Sequence, residues 1–206
     1  MESKVLQISG KTVKTVTLEA AVIGSGAAGY SAALNLYTNN ITDIALITEG
    51  INMGTSRNTG SDKQTYYKLS LCGERADSVH EMANDLFSYG CVDGDIALAE
   101  ASMSVPCFIN LCKLGVPFPT NRYGEFVGYK TDHDPRERAT SAGPLTSKMM
   151  TECLQKEFES KKIRFFDGEL LIFIVKDGET AAGFITLNRK ARSLDGLFTL
   201  YNCRNI

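Results

Sequence analysis

The sequence feature that most constrains the fold is a glycine-rich turn, Gly24-Ser25-Gly26-Ala27-Ala28-Gly29. The apolar run before it, Leu18 to Ile23, predicts a buried strand, and the small residues after it, 30–37, predict a helix. A second apolar run, Ile44 to Thr48, predicts another strand, and Glu49 stands at its end, twenty residues after the turn. Strand, GxGxxG turn, helix, strand and acid in this order are typical of a dinucleotide-binding domain.

Each glycine of this turn has its own expected role. Gly24 allows the chain to turn sharply out of the strand, Gly26 lets the backbone approach a pyrophosphate, and Gly29 lets the helix pack closely on the strand. The helix N-terminus presents unpaired N–H groups, which attract an anion without any basic side chain. Residues 18–40 contain no Lys or Arg. The turn therefore predicts a pyrophosphate site, against the alternative that the glycines only relieve packing.

Glu49 narrows the choice of dinucleotide. A carboxylate at this place accepts hydrogen bonds from the 2′ and 3′ hydroxyls of a ribose and repels a 2′-phosphate. The expected ligand therefore carries an unphosphorylated adenosine ribose, as FAD and NAD do. The alternative is that Glu49 is a solvated residue at the end of a strand.

Composition excludes several function classes. The chain has 206 residues, 43% of them apolar, and a net charge of −2, which suits one medium domain, alone or with part of a second, and gives no reason to expect nucleic acid as a partner. The six cysteines form no CxxC pair, and the N-terminus leads into no signal-peptide core, so we expect reduced thiols and a cytoplasmic location. The longest apolar runs, such as 170–175, are too short to cross a bilayer, so no membrane segment is expected.

The first half of the chain predicts a hairpin, a loop and two helices in addition to the strands and helix around the glycine turn. Residues 1–17 alternate apolar and polar side chains and predict an N-terminal β-hairpin extension, which could cover a sheet edge. Residues 51–63 show no period and predict a loop. Helices are expected at 77–89 and from Gly94 onward, with Pro106 interrupting the second.

The second half of the chain contains the remaining strands. A helix is expected at 146–159, and strands follow at 163–166, 169–175, 180–187 and 197–202. The turn at 176–179 joins two of them as a hairpin. The first of these four strands would be a third strand of the parallel sheet. The other three would form an antiparallel β-meander.

With these residues in place, the chain resembles the FAD-binding domain of the fumarate reductase/succinate dehydrogenase flavoprotein family, which also includes L-aspartate oxidase. The resemblance runs from about Leu18 to the C-terminus. It rests on the 24–29 turn, Thr48-Glu49, the Ser/Thr/Gly-rich segment 54–61, Asp95-Ile96-Ala97-Leu98-Ala99, Leu114-Gly115-Val116-Pro117-Phe118, and Asp177-Gly178 followed by Ala182-Gly183.

The resemblance implies an α/β fold: a Rossmann-like parallel sheet with helices and a three-stranded antiparallel β-meander, incomplete at the C-terminus. Residues 18–206 would form the FAD-binding domain, and 116–145 the start of a capping-type insertion. The meander is typical of flavoproteins that bind FAD, so the resemblance favours FAD over NAD as the cofactor.

The resemblance also implies which residues bind FAD. Segment 54–61 would wrap the pyrophosphate, the ribityl chain and the flavin edge, and the backbone of Leu171 would meet the adenine. The donors in the segment would be the backbone N–H groups and polar side chains of Gly54, Thr55, Ser56, Asn58, Thr59, Gly60 and Ser61. The alternatives are a solvated loop for the segment and plain core packing for Leu171.

The chain departs from the family at two places. Many respiratory members carry a His that links covalently to FAD, and Arg57 stands in its place here, so we expect non-covalent FAD. The sequence ends where the family continues into a parallel strand with an Ala-Thr-Gly-Gly turn. By resemblance, the residues that bind a small dicarboxylate-like substrate and deliver a proton lie in that continuation, so no catalytic residue is assigned.

Two functions follow as expectations. The chain is the FAD-binding portion of a flavin-dependent oxidoreductase acting on CH–CH bonds as part of a longer protein, or it is a truncated or split module without its own turnover. An unpaired sheet edge would favour a homo-oligomer or a C-terminal partner chain. A third candidate, an NAD-dependent dehydrogenase, is disfavoured, because no set of catalytic residues typical of a dehydrogenase follows the turn and because the meander favours FAD.

The polar segment around His133 is a separate candidate site. His133, Arg136 and Arg138 could bind an anion or relay protons, and His133 with its two flanking aspartates could be imagined as a metal site. A loop with internal ion pairs is the favoured interpretation, because such pairs are common. No metal site is predicted.

Overall fold

The computed structural model of the protein describes residues 3–8, 11–61, 64–71, 75–131, 134, 136–190 and 193–200. The elements, in chain order, are β1 (Ser3–Ile8), β2 (Lys11–Leu18), β3 (Ala20–Ile23), α1 (Ala27–Thr38), β4 (Ile44–Thr48), α2 (Thr55–Asn58), β5 (Tyr66–Tyr67), α3 (Val79–Ser88), α4 (Gly94–Lys113), β6 (Ala139–Thr140), α5 (Thr146–Ser160), β7 (Arg164–Asp167), β8 (Glu169–Asp177), β9 (Thr180–Asn188) and β10 (Ser193–Leu200). They form two compact units: the first unit is Met1–Asn58 with Leu154–Ile206, and the second unit is Thr59–Cys153.

The first unit contains the predicted parallel sheet. Its strand order is β3-β4-β7, and β4 pairs in parallel with both neighbours. Residues 44–47 of β4 are at most 1% exposed, because a central strand is covered on both faces. The strand-helix-strand order expected around the glycine turn is therefore confirmed.

The second sheet of the first unit is the predicted meander with the N-terminal hairpin added. β8, β9 and β10 pair antiparallel, β2 pairs in parallel with β10, and β1 pairs antiparallel with β2. The hairpin therefore covers an edge of the meander. Leu18 ends β2 and is fully buried with Ala45, Ile47 and Phe184, so the next strand begins at Ala20 and not at Leu18 as predicted.

The segment predicted as a continuous loop at 51–63 contains a short helix, α2. Gly54 adopts φ +98°, and the N–H of Asn58 donates to the Gly54 carbonyl at 3.3 Å, which closes one helical turn. The Asn58 amide also donates to the carbonyls of Gly54 (3.0 Å) and Asn52 (2.8 Å). One turn needs only these local bonds, so it leaves no periodicity in the sequence.

The second unit packs α3 on α4, and α4 differs from the prediction. Its core contains Met82, Ala83, Ala97 and Ala101. Pro106 lies inside α4, which continues unbroken to Lys113. Pro106 is exposed, so the carbonyl that loses its N–H partner lies on the solvent side while the opposite face stays packed.

Among the described residues, α4 is long and apolar enough to cross a membrane by length and composition. No membrane segment was expected from the sequence, and that expectation stays a prediction. About a quarter of this stretch, 28%, is buried, and its buried side chains include Ala97, Ala101 and Phe108 in the second unit.

Candidate cofactor site

The glycine turn adopts the geometry that its spacing predicts. Gly24 follows β3 with φ +106°, a region that favours glycine, and its N–H donates to the Ile47 carbonyl at 2.8 Å. Gly26 is the N-cap of α1 and, as a glycine, makes no side-chain hydrogen bond to the N–H groups of the first turn. The N-terminus of α1 is therefore available to an anion through its backbone.

Gly29 is fixed by close packing. A Cβ atom at this position would stand 1.9 Å from the Gly24 carbonyl oxygen, a distance that no side chain tolerates. A Cβ at Gly26 would come within 3.3 Å of the Ser56 hydroxyl. The first contact shows why α1 starts so close to β3, and the second places α2 beside the turn.

Two hydroxyl groups connect the turn to the end of β4. The hydroxyls of Ser25 and Thr48 are hydrogen-bonded at 2.9 Å, and both residues are buried. The Thr48 hydroxyl also accepts from the N–H of Gly50 at 3.3 Å. The two strand ends are thus held together where the ligand is expected.

Glu49 is paired with a basic residue, Arg189, which directly follows β9. The Arg189 guanidinium donates to Oε1 of Glu49, and both side chains are partly exposed. The backbone N–H of Arg189 donates to the Gly168 carbonyl at 2.8 Å, which anchors it. Arg189 therefore binds one carboxylate oxygen of Glu49, Oε1. The Glu49 carboxylate is also the group that we expect to bind the ribose.

These residues surround a cleft of about 330 Å³ in the first unit. Its lining includes seven of the residues predicted from the sequence, namely Gly24, Ser25, Gly26, Thr48, Glu49, Gly54 and Leu171. It also includes residues that sequence reasoning missed, namely Ile23, Ile47, Met53, Glu169 and Leu170. Sequence offered one signal for Glu169, an acid at the start of an otherwise apolar strand.

The remaining predicted residues are distributed over both units. Ala27 and Ala28 begin α1, and the Ala27 N–H donates to the Ser56 hydroxyl at 3.4 Å. Thr55 lies in α2 with Ser56, whereas the Asn58 amide binds carbonyls within the same loop. Thr59, Gly60 and Ser61 belong to the second unit, where the Ser61 N–H donates to the Pro144 carbonyl at 3.0 Å. A role of these three in the site stays a prediction.

The side chain of Arg57 contacts helix α5. Its guanidinium donates to Oε1 of Gln155. Burial raises the pKa of the Tyr30 phenol, and the positive charge of Arg57 opposes part of that rise. Arg57 is not among the residues that line the cleft.

The residues that line the cleft are suited to binding FAD. The cleft volume lies within the range of small-molecule sites, about 300–1,000 Å³. The backbone of the Gly24–Gly29 turn suits the pyrophosphate, and Glu49 suits the hydroxyls of an unphosphorylated ribose. The part of the cleft along β8 is mainly apolar, with Leu170 and Leu171, and suits an aromatic base.

The second candidate site forms a buried ion-pair network in the second unit. Arg138 is fully buried, and its guanidinium donates to both oxygens of Asp77 at 2.7 and 2.8 Å and to Asp85 at 2.6 Å. The Tyr67 hydroxyl lies 3.1 Å from the same guanidinium. These carboxylates raise the pKa of Arg138 against the opposing effect of burial.

Arg136 is paired as well, with Glu81 at 2.7 Å. The favoured interpretation, internal ion pairs, is confirmed for Arg136 and Arg138, because both guanidinium groups are bound to carboxylates of the chain. His133 lies outside the described residues. In the part of the chain that the structure describes, no group of His, Cys, Asp and Glu is arranged to hold a metal ion.

Comparison with known proteins agrees with this geometry. The family model for the FAD binding domain matches residues 19–192, which cover most of the chain. A search of curated protein sequences finds no match.

Solved structures show the same fold. The FrdA subunit of E. coli quinol fumarate reductase superposes with a TM-score of 0.76 at 19% identity, over 90% of this chain and 32% of that chain. Mycobacterium smegmatis Sdh1 in complex with UQ1 gives 0.78 at 17% identity, over 90% and 33%. The 3-ketosteroid-Δ4-(5α)-dehydrogenase of Rhodococcus jostii RHA1 gives 0.68 at 15% identity, over 89% and 44%.

This chain spans about a third of the length of the first two proteins. The matched region includes the glycine turn, Glu49 and the start of β8, all of which line the cleft described above. The chain therefore belongs to the family of FAD binding domains, and its fold matches about a third of the length of flavoproteins of the fumarate reductase/succinate dehydrogenase type.

Proposed function

We propose that this chain binds FAD without a covalent bond and serves as the FAD-binding portion of a flavin-dependent oxidoreductase. The observation that carries the proposal is the cleft between the Gly24–Gly29 turn, Glu49 and β8. It combines uncharged backbone donors for the pyrophosphate with a carboxylate acceptor for the ribose. The family match to the FAD binding domain supports the same ligand.

Non-covalent attachment is supported by Arg57. A guanidinium is protonated at every accessible pH and is not a nucleophile, so it cannot take the place of a flavin-linked His. Arg57 donates to Gln155 in α5, which occupies its side chain.

Spectroscopy tests both parts of this proposal. The purified chain, or the chain supplied with FAD, should absorb at flavin wavelengths, and acid precipitation should leave all flavin in the supernatant. Flavin that stays with the precipitated polypeptide would show a covalent bond. A colourless chain that does not quench the fluorescence of added FAD would refute FAD binding.

A pair of glycine variants tests the location of the site. Gly26→Ala places a methyl group where the backbone approaches the pyrophosphate, so we expect FAD affinity to fall about tenfold or more. Gly94→Ala is the matched control, because a Cβ there meets only Phe87 at an ordinary 3.7 Å. Equal affinities in both variants would place the pyrophosphate elsewhere.

We propose further that the full protein oxidises or reduces a C–C bond next to carboxylates. FAD, when bound, supplies the hydride chemistry, and the protein binds and orients it. The likeness to quinol fumarate reductase supports this reaction class. The steroid dehydrogenase shares the fold as well, so the fold alone does not select the substrate.

We expect this chain alone to show no turnover, since none of its described residues has been assigned as a proton donor or carboxylate clamp. The test adds fumarate and a reduced dye to the flavin-loaded chain. Turnover would refute this part of the proposal. Location in the cytoplasm stays a prediction, which fractionation would test.

The edge strand β3 of the parallel sheet suggests that this sheet has a binding partner. Within the described residues, β3 pairs with β4 on one side only, and an unpaired strand edge favours association. We therefore propose that a second copy or a partner chain covers this edge. A monodisperse monomer in light scattering would contradict the second copy.

A further inference from the structure

A buried carboxylate of the first unit is not used by the proposal above. Glu169, the first residue of β8, is only 9% exposed. The Thr186 hydroxyl donates to its Oε2 at 2.6 Å, and the Asn188 amide donates to its Oε1 at 2.8 Å. A carboxylate has about four acceptor positions, so each oxygen can accept a further hydrogen bond.

Burying a carboxylate is costly unless hydrogen bonds compensate for its lost hydration. Thr186 is fully buried, and with Asn188 it supplies that compensation from the adjacent strand β9. The two donors also hold the carboxyl group in one orientation. An apolar side chain would fill the same place without this cost, so the acid has a reason other than packing.

The position of Glu169 in the cleft suggests that reason. Glu169 lines the cleft beside Leu170 and Leu171. The Gly24–Gly29 turn suits the phosphates and Glu49 suits the ribose, so the base that the ribose carries continues toward the remaining wall, β8. Glu169 is the polar side chain of that wall, and Leu170 and Leu171 make the rest of the wall apolar.

We propose that Glu169 accepts a hydrogen bond from the 6-amino group of the adenine and makes the site select an adenine dinucleotide over one with a 6-oxo purine. An ionised carboxylate only accepts hydrogen bonds, so it matches an amino group. A carbonyl at the same place would set two acceptors against each other and leave both without a donor. The inference rests on the proposed FAD site and adds its base specificity.

The test compares two cofactors on the same chain. One is FAD, and the other is flavin hypoxanthine dinucleotide, in which a carbonyl replaces the 6-amino group. Their dissociation constants follow from quenching of flavin fluorescence. We expect the unmodified chain to prefer FAD about tenfold or more, because the wrong base leaves a buried polar group without its partner.

Glu169→Gln is the decisive variant. Its amide offers both an acceptor oxygen and N–H donors, so it can serve either base. We expect the preference for FAD to fall to about threefold or less. Glu179→Gln is the matched control on the same sheet, because Glu179 is exposed near the β8–β9 turn, and it should keep the full preference.

The outcomes separate the two proposals. If the unmodified chain binds neither flavin, the proposed FAD site fails. If it binds both equally, or if Glu169→Gln weakens both by the same factor, Glu169 is only structural and the inference is overturned. Circular dichroism checks that the variant folds; if it does not fold, equal binding of the two flavins by the unmodified chain still overturns the inference.

Discussion

The two units use charged residues in opposite ways. In the first unit, the glycine turn presents backbone donors without a basic side chain, and Glu49, which lines the cleft, forms a partly exposed ion pair with Arg189. In the second unit, Arg138 is completely buried and holds Asp77 and Asp85. The same residue types therefore border an accessible site in one unit and stabilise the interior of the other.

The burial of the charges explains this difference. A buried ion pair loses its hydration, so removing one partner leaves an uncompensated charge in a medium of low dielectric. An exposed pair is screened by water and contributes little to stability. We therefore expect substitutions in the second unit to act on folding and those at the cleft to act on binding.

The largest expected effect comes from Arg138→Leu. It leaves the buried carboxylates of Asp77 and Asp134 without their guanidinium, so the free energy of unfolding should fall by about 3–5 kcal/mol. Urea unfolding followed by circular dichroism measures the loss, and hydrogen exchange should locate it in peptides of the second unit. Arg136→Leu is the control, because its partner Glu81 is about half exposed, and it should cost under about 1 kcal/mol.

Gly29→Ala should have the next largest effect, in the first unit. Its Cβ would meet the Gly24 carbonyl oxygen at 1.9 Å, so the backbone must move, at a cost of about 1–3 kcal/mol or more. The movement opens the turn, so FAD binding should be lost together with stability. A variant of normal stability and normal FAD affinity would contradict the close packing of α1 on β3.

Acid should weaken the second unit through Asp77. Burial alone would raise the pKa of Asp77, but hydrogen bonds from Arg138 and from the N–H groups of Ser70 and Ser78 lower it below its ordinary value. A lowered folded-state pKa contributes stability above the unfolded pKa, about 3.9, and that stability is lost as the pH falls through the folded pKa. The protection factors of amide hydrogens in the second unit, measured by hydrogen exchange, should therefore fall below about pH 4.

Asp77→Asn is the matched variant for this acid effect. It should be less stable than the unmodified chain at neutral pH and should respond less to acid, because the titrating carboxyl group is gone. An identical acid response in both chains would assign the effect to other carboxylates.

The smallest effect on stability is expected for Arg189→Ala. Arg189 is half exposed and Glu49 more than a third exposed, so their ion pair should contribute under about 0.5 kcal/mol. The variant should keep its unfolding midpoint in urea. A loss comparable with that of Arg138→Leu would remove the contrast between the two units.

Several parts of the fold could be predicted because their signals are local. The strands, the helix α1 and the 176–179 turn follow from hydrophobic period and turn residues close in the sequence. The predicted interruption of the helix at Pro106 was wrong, because α4 continues through it to Lys113. The helix-breaking tendency of proline is a local property, and it does not take into account the packing of the opposite face of α4. α2 was missed since a single turn has no period to detect.

The sequence by itself determined that a GxGxxG turn follows one strand and that Glu49 follows a second strand, because these features depend on neighbours in the chain. Only the tertiary structure decided that Arg189 meets Glu49, since the two are 140 positions apart. It also decided that Arg138 is a buried ion-pair centre and that Glu169 lines the cleft. Burial and partners depend on which distant segments pack together, and a sequence read segment by segment does not contain that pairing.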